Sequence, residues 1–337
     1  MRPLKTVDAQ WLIRQPFSRP AWIIEDLVTV GLTLLVGAPK AVKSWMSLKI
    51  ALCVNMGQPF WSLQTLPCDV LYLSLEDTPE RVQQRLWKLT DEASPRLHIG
   101  NATGKVNDDS ICQLEGFFDE FPETKLVIVD TLQLVRKGAG DMSYAADYAD
   151  MSALKQFADS HGAATICAHH NRKMSDQDVF NTVSGTNGIT GAADCTMVLS
   201  NLNRASKHAT LSVTGRDVEF QEYKVKLTDC VWELIEKTSK EELEERDIPD
   251  DVLRTLDFMM TRPVEWKGTT TELFNAVGID GVSVPAYGKH LAQHKDFMAE
   301  RGILFDRIHM REGNILTLRR VEVDRDGCEG CDGKSAS

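Results

Sequence analysis

The chain has 337 residues, of which 42 % are hydrophobic and 26 % are charged, and its formal net charge is −11. This composition is that of a globular protein of about two domains, and the acidic balance excludes a wholly basic nucleic-acid coat protein. No apolar run approaches the roughly 20 residues of a membrane helix, and the segment MRPLKTVDAQWLIRQP lacks the apolar stretch of a signal peptide, so we expect a cytoplasmic protein without membrane contact.

The first two thirds of the chain alternate predicted strands with predicted helices. Apolar runs predict buried strands at 32–37, 70–77, 125–135 and 163–173, and a fifth after a small-residue turn within 190–199. Helical spacing predicts helices at 43–56, from Pro79 to about Leu89, and at 143–160. Such alternation predicts an α/β fold with a parallel central sheet. The later segments ATLSVTG, EYKVKLTD and CVWELIE predict an antiparallel β extension, and Cys53, Cys167 and Cys195 sit in apolar context as reduced core residues.

Pattern and charge divide the chain into four segments. Residues 1–235 carry the α/β pattern, and the highly charged segment 236–251 is typical of a solvated linker or linker helix. Residues 252–322 show three helical patterns followed by a β-hairpin with EGN at its tip, which is the pattern of a winged helix. Residues 323–337 are polar and glycine-rich and are expected to be disordered. Their single C-x-x-C pair, CEGC, is half of what a zinc site needs.

The segment GAPKAVKS, residues 37–44, departs at one position from the phosphate-binding loop G-x-x-x-x-G-K-[ST]. Val42 stands where that pattern has its second glycine. The segment lies between a predicted strand and a predicted helix, where backbone N–H groups and the helix dipole bind phosphate. A left-handed valine costs about 1–2 kcal/mol, which surrounding structure or bound phosphate can offset, and a right-handed conformation is the alternative. The expected nucleotide-binding residues are Gly37, Ala38, Pro39, Lys40, Ala41, Val42, Lys43, Ser44 and Trp45.

Carboxylates follow two other predicted strands. Asp130 ends LVIVD, a Walker B pattern, and is placed with Ser44 to hold the shell of a Mg²⁺ ion. Glu76 in LSLED would activate the attacking water as a general base. The neighbouring Asp77 or Thr78 would cap the following helix, with Asp77 preferred.

Two adjacent histidines, His169 and His170, end the fourth predicted strand in CAHHNRK. Adjacent residues point to opposite faces of a strand, so one of them faces the site and could sense a γ-phosphate; the sequence does not decide which. In parallel sheets ligands bind beyond the carboxyl ends of the strands. Gly37, Glu76, Asp130 and one histidine are therefore expected to converge.

The ordered set GAPKAVKS, YLSLEDTPERVQQRL, KLVIVDTLQLV, AHHNRK and SGTNGITGAAD resembles the RecA/DnaB-type ATPases, with the RepA-like hexameric helicases of plasmids and phages and their AAA-family relatives as the closest branch. The resemblance covers about residues 20–235. It implies a RecA-like P-loop NTPase core, ATP with Mg²⁺, a homo-oligomeric ring or filament, with a hexamer as the expected assembly, and DNA-coupled hydrolysis. The roles it implies are phosphate binding by Lys43 and Ser44, general base for Glu76, Walker B aspartate for Asp130, and sensor for His169 or His170.

An arginine from a neighbouring subunit completes the site in that family. Arg216, in TGRDVE, is the first candidate here, with Arg204 and Lys207 behind it. A hairpin salt bridge from Arg216 to Asp217 or Glu219 is the structural alternative.

Two regions are expected to contact DNA. The polar loop 171–188 corresponds to a loop that faces the ring channel in RecA-like assemblies; Arg172, Lys173 and Asn181 are the candidate contacts to single-stranded DNA, and a disordered loop without contacts is the alternative. In the C-terminal module, residues 289–320 hold seven Lys and Arg against four Asp and Glu. The candidate recognition helix spans about 284–300, with Tyr287, Lys289, His290 and Lys295, and would contact duplex DNA. A protein partner is the alternative for this module.

These features favour an ATP-driven, DNA-associated motor, a replicative DNA helicase of a mobile element. The second interpretation is a nucleotide-gated DNA-binding loader or replication regulator that hydrolyses poorly because of Val42. The third is a recombination ATPase that forms filaments. Glu76 and Asp130 favour hydrolysis, because a site kept only for binding would not need a general base.

Overall fold

The computed structural model describes residues 6–16, 22–100, 108–134, 144–172, 176, 178–203, 205–246, 248–261, 264–310 and 313–321. The chain forms two compact units, Met1–Lys240 and Glu241–Ser337. Each unit has a hydrophobic core of its own. The segment 323–337, with its cysteine pair, lies outside the described residues. No helix in the described ranges combines the length and the apolar composition that crossing a membrane requires.

The first unit is built on one nine-stranded sheet. It begins with a short helix and a small hairpin: α1 (Ala9–Ile13), β1 (Trp22–Ile24) and β2 (Val28–Thr29). Alternating strands and helices follow: β3 (Gly31–Gly37), α2 (Lys43–Met56), β4 (Asp69–Ser74), α3 (Pro79–Leu89), β5 (Leu97–Gly100), α4 (Asp108–Glu120), β6 (Thr124–Asp130), α5 (Tyr144–His161), β7 (Ala164–His170), α6 (Asn187–Ala192) and β8 (Cys195–Asn203). Three strands complete it: β9 (His208–Gly215), β10 (Gln221–Thr228) and β11 (Val231–Thr238).

The strand order across this sheet is β11-β10-β9-β8-β3-β7-β6-β4-β5. The six strands from β8 to β5 run parallel, and β9, β10 and β11 extend the sheet antiparallel. The predicted α/β fold with a parallel central sheet and a β extension is therefore confirmed. Because helices connect these strands, the carboxyl ends of all the parallel strands lie on the same edge of the sheet. The predicted site residues that end or follow these strands therefore lie on that edge.

Both faces of the central strands are covered. Every residue of β3 is buried. Leu35 packs into the core that contains residues of α2, whereas Leu34 and Val36 pack into the core that contains residues of α4 and α5. Because neighbouring strand residues point to opposite faces, a strand covered on both sides needs an unbroken apolar run. This is why LTLLV is apolar at nearly every position.

Local patterns located most of this unit. Helices α2 and α3 begin and end at the predicted residues. The predicted strand 125–135 ends earlier, at Asp130, and a 3₁₀ turn follows at Leu132–Leu134. The aspartate therefore lies at the carboxyl end of its strand. The cysteines Cys53, Cys167 and Cys195 are buried and unbridged, as predicted. The elements α1, β5 and α4 were not predicted, because their segments are short or lack a clear apolar period.

The remainder of the chain forms helices and a three-stranded antiparallel sheet: α7 (Lys240–Arg246), α8 (Asp250–Thr261), β12 (Glu265–Thr269), α9 (Thr270–Val277), α10 (Val284–Gln293), α11 (Lys295–Glu300), β13 (Ile303–Met310) and β14 (Gly313–Arg320). The sheet order is β12-β14-β13. Strand β12 was not predicted, because EWKGT is short and does not alternate apolar with polar residues. The charged segment 236–251 holds the end of β11, helix α7 and the first two residues of α8.

The predicted helix 284–300 is divided at His294, which lies between α10 and α11. Two of its residues contact helix α8. The Tyr287 hydroxyl lies 2.7 Å from Thr255 Oγ1 in the core, and His290 Nδ1 lies 2.8 Å from Asp251 Oδ2. The expected place of Tyr287 on a DNA-facing surface is wrong, because its side chain is buried in the core. His290 is partly exposed, and its place on a DNA-contacting surface stays a prediction. Lys289 and Lys295 are exposed.

Candidate nucleotide site

An open cleft of about 350 Å³ lies at the carboxyl edge of the parallel strands. The loop 40–45 forms one wall. Glu76 follows β4, Asp130 ends β6, and His170 ends β7, and all three line the cleft. Strand register explains the convergence, because Gly37 pairs with His170 and Ser74 pairs with Asp130. Residues as far apart in sequence as Lys43 and His170, 127 positions, therefore share one cavity.

The loop adopts a left-handed turn at two residues. Lys40 has φ 65°, and Val42 has φ 62° and ψ 28°. The right-handed alternative for Val42 is therefore wrong. Val42 is also the N-cap of α2, and it supplies no side-chain hydrogen bond to the first turn. The N–H groups of that turn thus lack a side-chain acceptor from their N-cap, and a helix N-terminus of this kind binds anions such as phosphate.

The Lys43 side chain is buried and held by the loop itself. Its Nζ donates to Gly37 O at 2.8 Å and to Ala38 O at 3.1 Å. Gly37 lies close to strand β8, because a Cβ there would lie 3.2 Å from Leu199 O, whereas its distance to Lys43 Cδ would be an ordinary 3.4 Å. Burial lowers the pKa of Lys43 to about 8, against the opposing charges of Asp130 and Glu76. At neutral pH the ammonium group is therefore charged and ready to meet phosphate.

The donor set around Asp130 suits a Mg²⁺ ion. Asp130 is buried, and its Oδ2 accepts a hydrogen bond from the Tyr72 hydroxyl at 2.7 Å. Burial, followed by the charge of Asp130, raises the pKa of Tyr72, so this hydroxyl remains a donor. Ser44 lines the same cleft. Mg²⁺ is bound through one or two protein oxygens together with substrate phosphates, and one carboxylate and one hydroxyl fit that requirement.

The two carboxylates after β4 have different surroundings. Glu76 is exposed to the cleft. Asp77 instead pairs with Arg81 at 3.0 Å and with Arg85 at 2.6 Å. The prediction that Asp77 caps α3 is therefore wrong, and Thr78 occupies the N-cap position. Asp77 also lines the cleft, but it is paired with two arginines, whereas the Glu76 carboxylate is exposed there.

The two histidines of β7 face opposite sides, and the structure separates them. His169 is buried, and its Nε2 lies 2.8 Å from Ser184 O, so it does not line the cleft. His170 lines the cleft, and its Nδ1 lies 3.3 Å from Lys43 Nζ. Burial, followed by the charge of Lys43, lowers the pKa of His170. A neutral ring with its proton on Nε2 can accept from Lys43 at Nδ1.

Comparison with known proteins agrees with this geometry. A family model described as AAA domain matches residues 2–176, more than half of the chain. The chain belongs to this AAA domain family. No curated protein matches it. A solved structure of an ATPase domain has 15 % sequence identity and a TM-score of 0.51, over 61 % of this chain and 85 % of that one. At this identity the likeness shows the fold alone, which is a RecA-like α/β core.

Two cationic residues of the AAA domain's cleft were not predicted. Arg81 and Arg85 lie in the cleft wall on α3, four residues apart. Residues at this spacing share one face of a helix, so the segment ERVQQR contained the signal. The Arg85 guanidinium lies 5.7 Å from the centre of the Trp45 ring, within cation–π range. The cleft thus carries positive charge from its own chain in addition to Lys43.

Arg216 lies away from the cleft of its own AAA domain. It is exposed, and its Nη1 lies 3.4 Å from Asp194 Oδ1. The partner in this ion pair is Asp194, not Asp217 or Glu219 as expected from the sequence. Asp194 directly precedes β8 and lies next to Gly215, the neighbour of Arg216. Lys207 is exposed in the turn before β9, and Arg204 lies outside the described residues.

The polar loop after β7 is partly described. Arg172 is exposed, and its Nη2 donates to Gly185 O across the loop. Asn181 is exposed in a 3₁₀ turn, and its Nδ2 donates to Asp176 Oδ1 at 3.4 Å. Lys173 lies outside the described residues. Arg172 and Asn181 are therefore on the surface but take part in local hydrogen bonds.

The low pKa of Lys43 predicts proton uptake when nucleotide binds. Phosphate favours the charged ammonium and raises its pKa, so near pH 8, where about half of the free sites are deprotonated, ADP binding should take up about half a proton. Affinity should fall as the pH rises above about 8. Calorimetry in two buffers of different ionisation enthalpy measures the uptake. Lys43→Arg should abolish it, because arginine stays protonated; wild-type protein without uptake at this pH would contradict the assignment.

Proposed function

We propose that this AAA domain protein hydrolyses ATP and uses it to move on single-stranded DNA, as a replicative helicase of a mobile element. The observation that carries the proposal is the convergence of Lys43, Glu76, Asp130 and His170 in one cleft beside a helix N-terminus. A site for binding alone would need the loop and the lysine. The exposed carboxylate of Glu76 adds a group that can take a proton from water.

Each residue has a place in the reaction. The loop N–H groups and Lys43 bind the β- and γ-phosphates and stabilise the charge that grows on them. Glu76 orients the attacking water and accepts its proton. A neutral His170 with its proton on Nε2 would offer a hydrogen-bond donor to the terminal phosphate, which suits a sensor. Ser44 and Asp130 would hold Mg²⁺, which supplies charge neutralisation at the phosphates, and Tyr72 fixes the orientation of the Asp130 carboxylate.

Assembly would complete the site. Arg216 is exposed and outside its own cleft, which suits an arginine that acts on the nucleotide of a neighbouring subunit. We propose a homo-oligomeric ring, a hexamer, in which Arg216 is this residue. Arg81 and Arg85 act within the chain, because Asp77 holds them at the cleft wall.

Two surfaces are proposed for DNA. The loop after β7, with Arg172, Lys173 and Asn181, would contact the phosphates of single-stranded DNA in the ring channel. Within residues 252–322 the elements are, in order, helix α8, strand β12, helices α9, α10 and the short α11, and strands β13 and β14. This order supports the proposal of a winged-helix-like domain. Exposed Lys289 and Lys295 would contact duplex DNA there, with a protein partner as the alternative.

Val42 favours a second candidate function. A strained residue in the phosphate loop would slow hydrolysis, and a protein that binds ATP without rapid turnover would serve as a nucleotide-gated loader or replication regulator. A recombination ATPase that forms filaments is the third candidate. Processive strand separation distinguishes the first function from the other two.

The test is strand separation on a forked DNA duplex. Wild-type protein should separate the strands with ATP and Mg²⁺ and fail with ADP. Arg172→Ala should slow separation because it removes a proposed phosphate contact, whereas Lys226→Ala, which removes an exposed lysine on β10, should not. Nucleotide-dependent duplex binding without strand separation would contradict the motor and support the loader.

A further inference from the structure

Val42 holds a conformation that its side chain disfavours. Its φ of 62° and ψ of 28° lie in the left-handed region, which glycine enters freely and β-branched residues rarely adopt. Its carbonyl oxygen starts helix α2 by accepting from Met46 N at 3.4 Å. Strained residues persist only where surrounding contacts over-determine them. The contacts around Val42 therefore bear on how the loop keeps its shape.

One such contact comes from the last hairpin of the first unit. Strands β10 and β11 are joined at Asp229 and Cys230, which both have positive φ values of 47° and 69°, as a tight two-residue turn requires. Strand β11 then packs on helix α2. This brings Trp232, only 2 % exposed, to the phosphate loop. Its Nε1 donates to Val42 O at 3.4 Å.

The Val42 carbonyl thus has two donors, the helix and the indole. The Val42 side chain packs against the same core that contains Trp232. Trp232 is itself fixed by a second indole, because Trp61 Nε1 donates to Trp232 O at 2.7 Å. The Trp61 ring lies 5.3 Å from the ring of Tyr223 on β10. The donor that reaches the loop is therefore part of a packed aromatic cluster.

We propose that Trp232 is a positioning residue for the phosphate-binding loop. By holding the Val42 carbonyl, it stabilises the left-handed conformation and keeps the N–H groups at the start of α2 in the arrangement that binds phosphate. Val42 and Trp232 together replace the second glycine of the loop pattern. This inference rests on the proposed nucleotide binding, and it identifies the β extension as the element that supports the nucleotide site.

A double-mutant cycle tests the pairing. The four proteins are wild type, Val42→Gly, Trp232→Phe and the double variant, and the quantity is the dissociation constant for MgADP from calorimetry. Trp232→Phe should weaken binding about 3- to 10-fold when valine is at position 42, the effect of one hydrogen bond. In the Val42→Gly background the same change should alter binding less than about twofold, because glycine needs no support. The KM for ATP should follow the dissociation constant while kcat stays near wild type.

Two controls separate positioning from general packing. Trp61→Phe removes an indole N–H that reaches the loop only through Trp232, so in the wild-type background it should weaken MgADP binding less than Trp232→Phe does; equal losses would indicate general packing. The isosteric benzothiophene analogue of tryptophan at position 232 keeps the ring shape and removes only the N–H. It provides the same test if the Trp232→Phe variant does not fold. It should also weaken MgADP binding about 3- to 10-fold.

Two results would overturn the positioning role: equal weakening by Trp232→Phe in both backgrounds, or wild-type affinity in the benzothiophene analogue. Failure of the wild-type protein itself to bind MgADP would overturn the proposed function instead.

Discussion

Glu76→Gln is expected to lower the turnover number for ATP hydrolysis by about 10²–10⁴-fold, the usual contribution of general acid–base catalysis. The amide keeps the size of the side chain but cannot accept the proton of the attacking water. Glu76 is exposed in the cleft and lies outside the hydrogen-bond set that holds the loop. Binding of MgADP should therefore remain within about twofold of wild type, since only a transition-state interaction is lost. Phosphate release and calorimetry measure the two quantities.

Glu80→Gln is the matched control for this variant. Glu80 is an exposed glutamate in the first turn of α3, and it does not line the cleft. The same chemical change there should leave turnover near wild type. Equal turnover in Glu76→Gln and wild type would remove Glu76 from the role of general base, and the adjacent Asp77 would then need to be considered.

Lys43→Met should reduce kcat/KM for ATP by about 10²–10³-fold, the typical cost of one preorganised charged or polar donor at a reacting centre. The side chain is buried at the loop, and its ammonium group donates to the carbonyls of Gly37 and Ala38. Methionine keeps the length and the apolar stem but loses the charge, so nucleotide binding should weaken as well. Steady-state kinetics and MgADP calorimetry measure both effects.

Lys40→Met controls for charge on the same loop. Lys40 is exposed, and exposed charges contribute little because water screens them. Its replacement should change kcat/KM far less than Lys43→Met does. Similar losses in the two variants would mean that the loop attracts nucleotide only through its net charge, without a specific role for the buried lysine.

Residues at strand ends were the part of the site that local sequence could reveal. Gly37, Glu76 and Asp130 each end or closely follow an apolar run, and the parallel sheet brings such positions together. Alternation also showed that one histidine had to face the site. Which histidine faces the cleft depends on how β7 pairs with β3. The sequence His169–His170 alone does not determine that pairing.

Long-range contacts were beyond the reach of sequence patterns. Trp232 meets the Val42 carbonyl across 190 positions of sequence, and only the order of the strands in the β extension brings them together. The pairing of Asp77 with Arg81 and Arg85 joins a residue before the N-cap to the helix α3, so helical spacing did not reveal it, and aspartate is also a preferred helix cap. In the second unit, Tyr287 is buried because it packs against α8, and a helical period alone does not show which face of α10 meets that helix.

The most direct test of the central claim is the rate of ATP hydrolysis by the wild-type protein with and without single-stranded DNA. A motor that uses this cleft should hydrolyse ATP severalfold faster when single-stranded DNA is present. A protein that binds MgADP but shows no turnover with or without DNA would contradict the account, and the cleft would then be a nucleotide-binding switch.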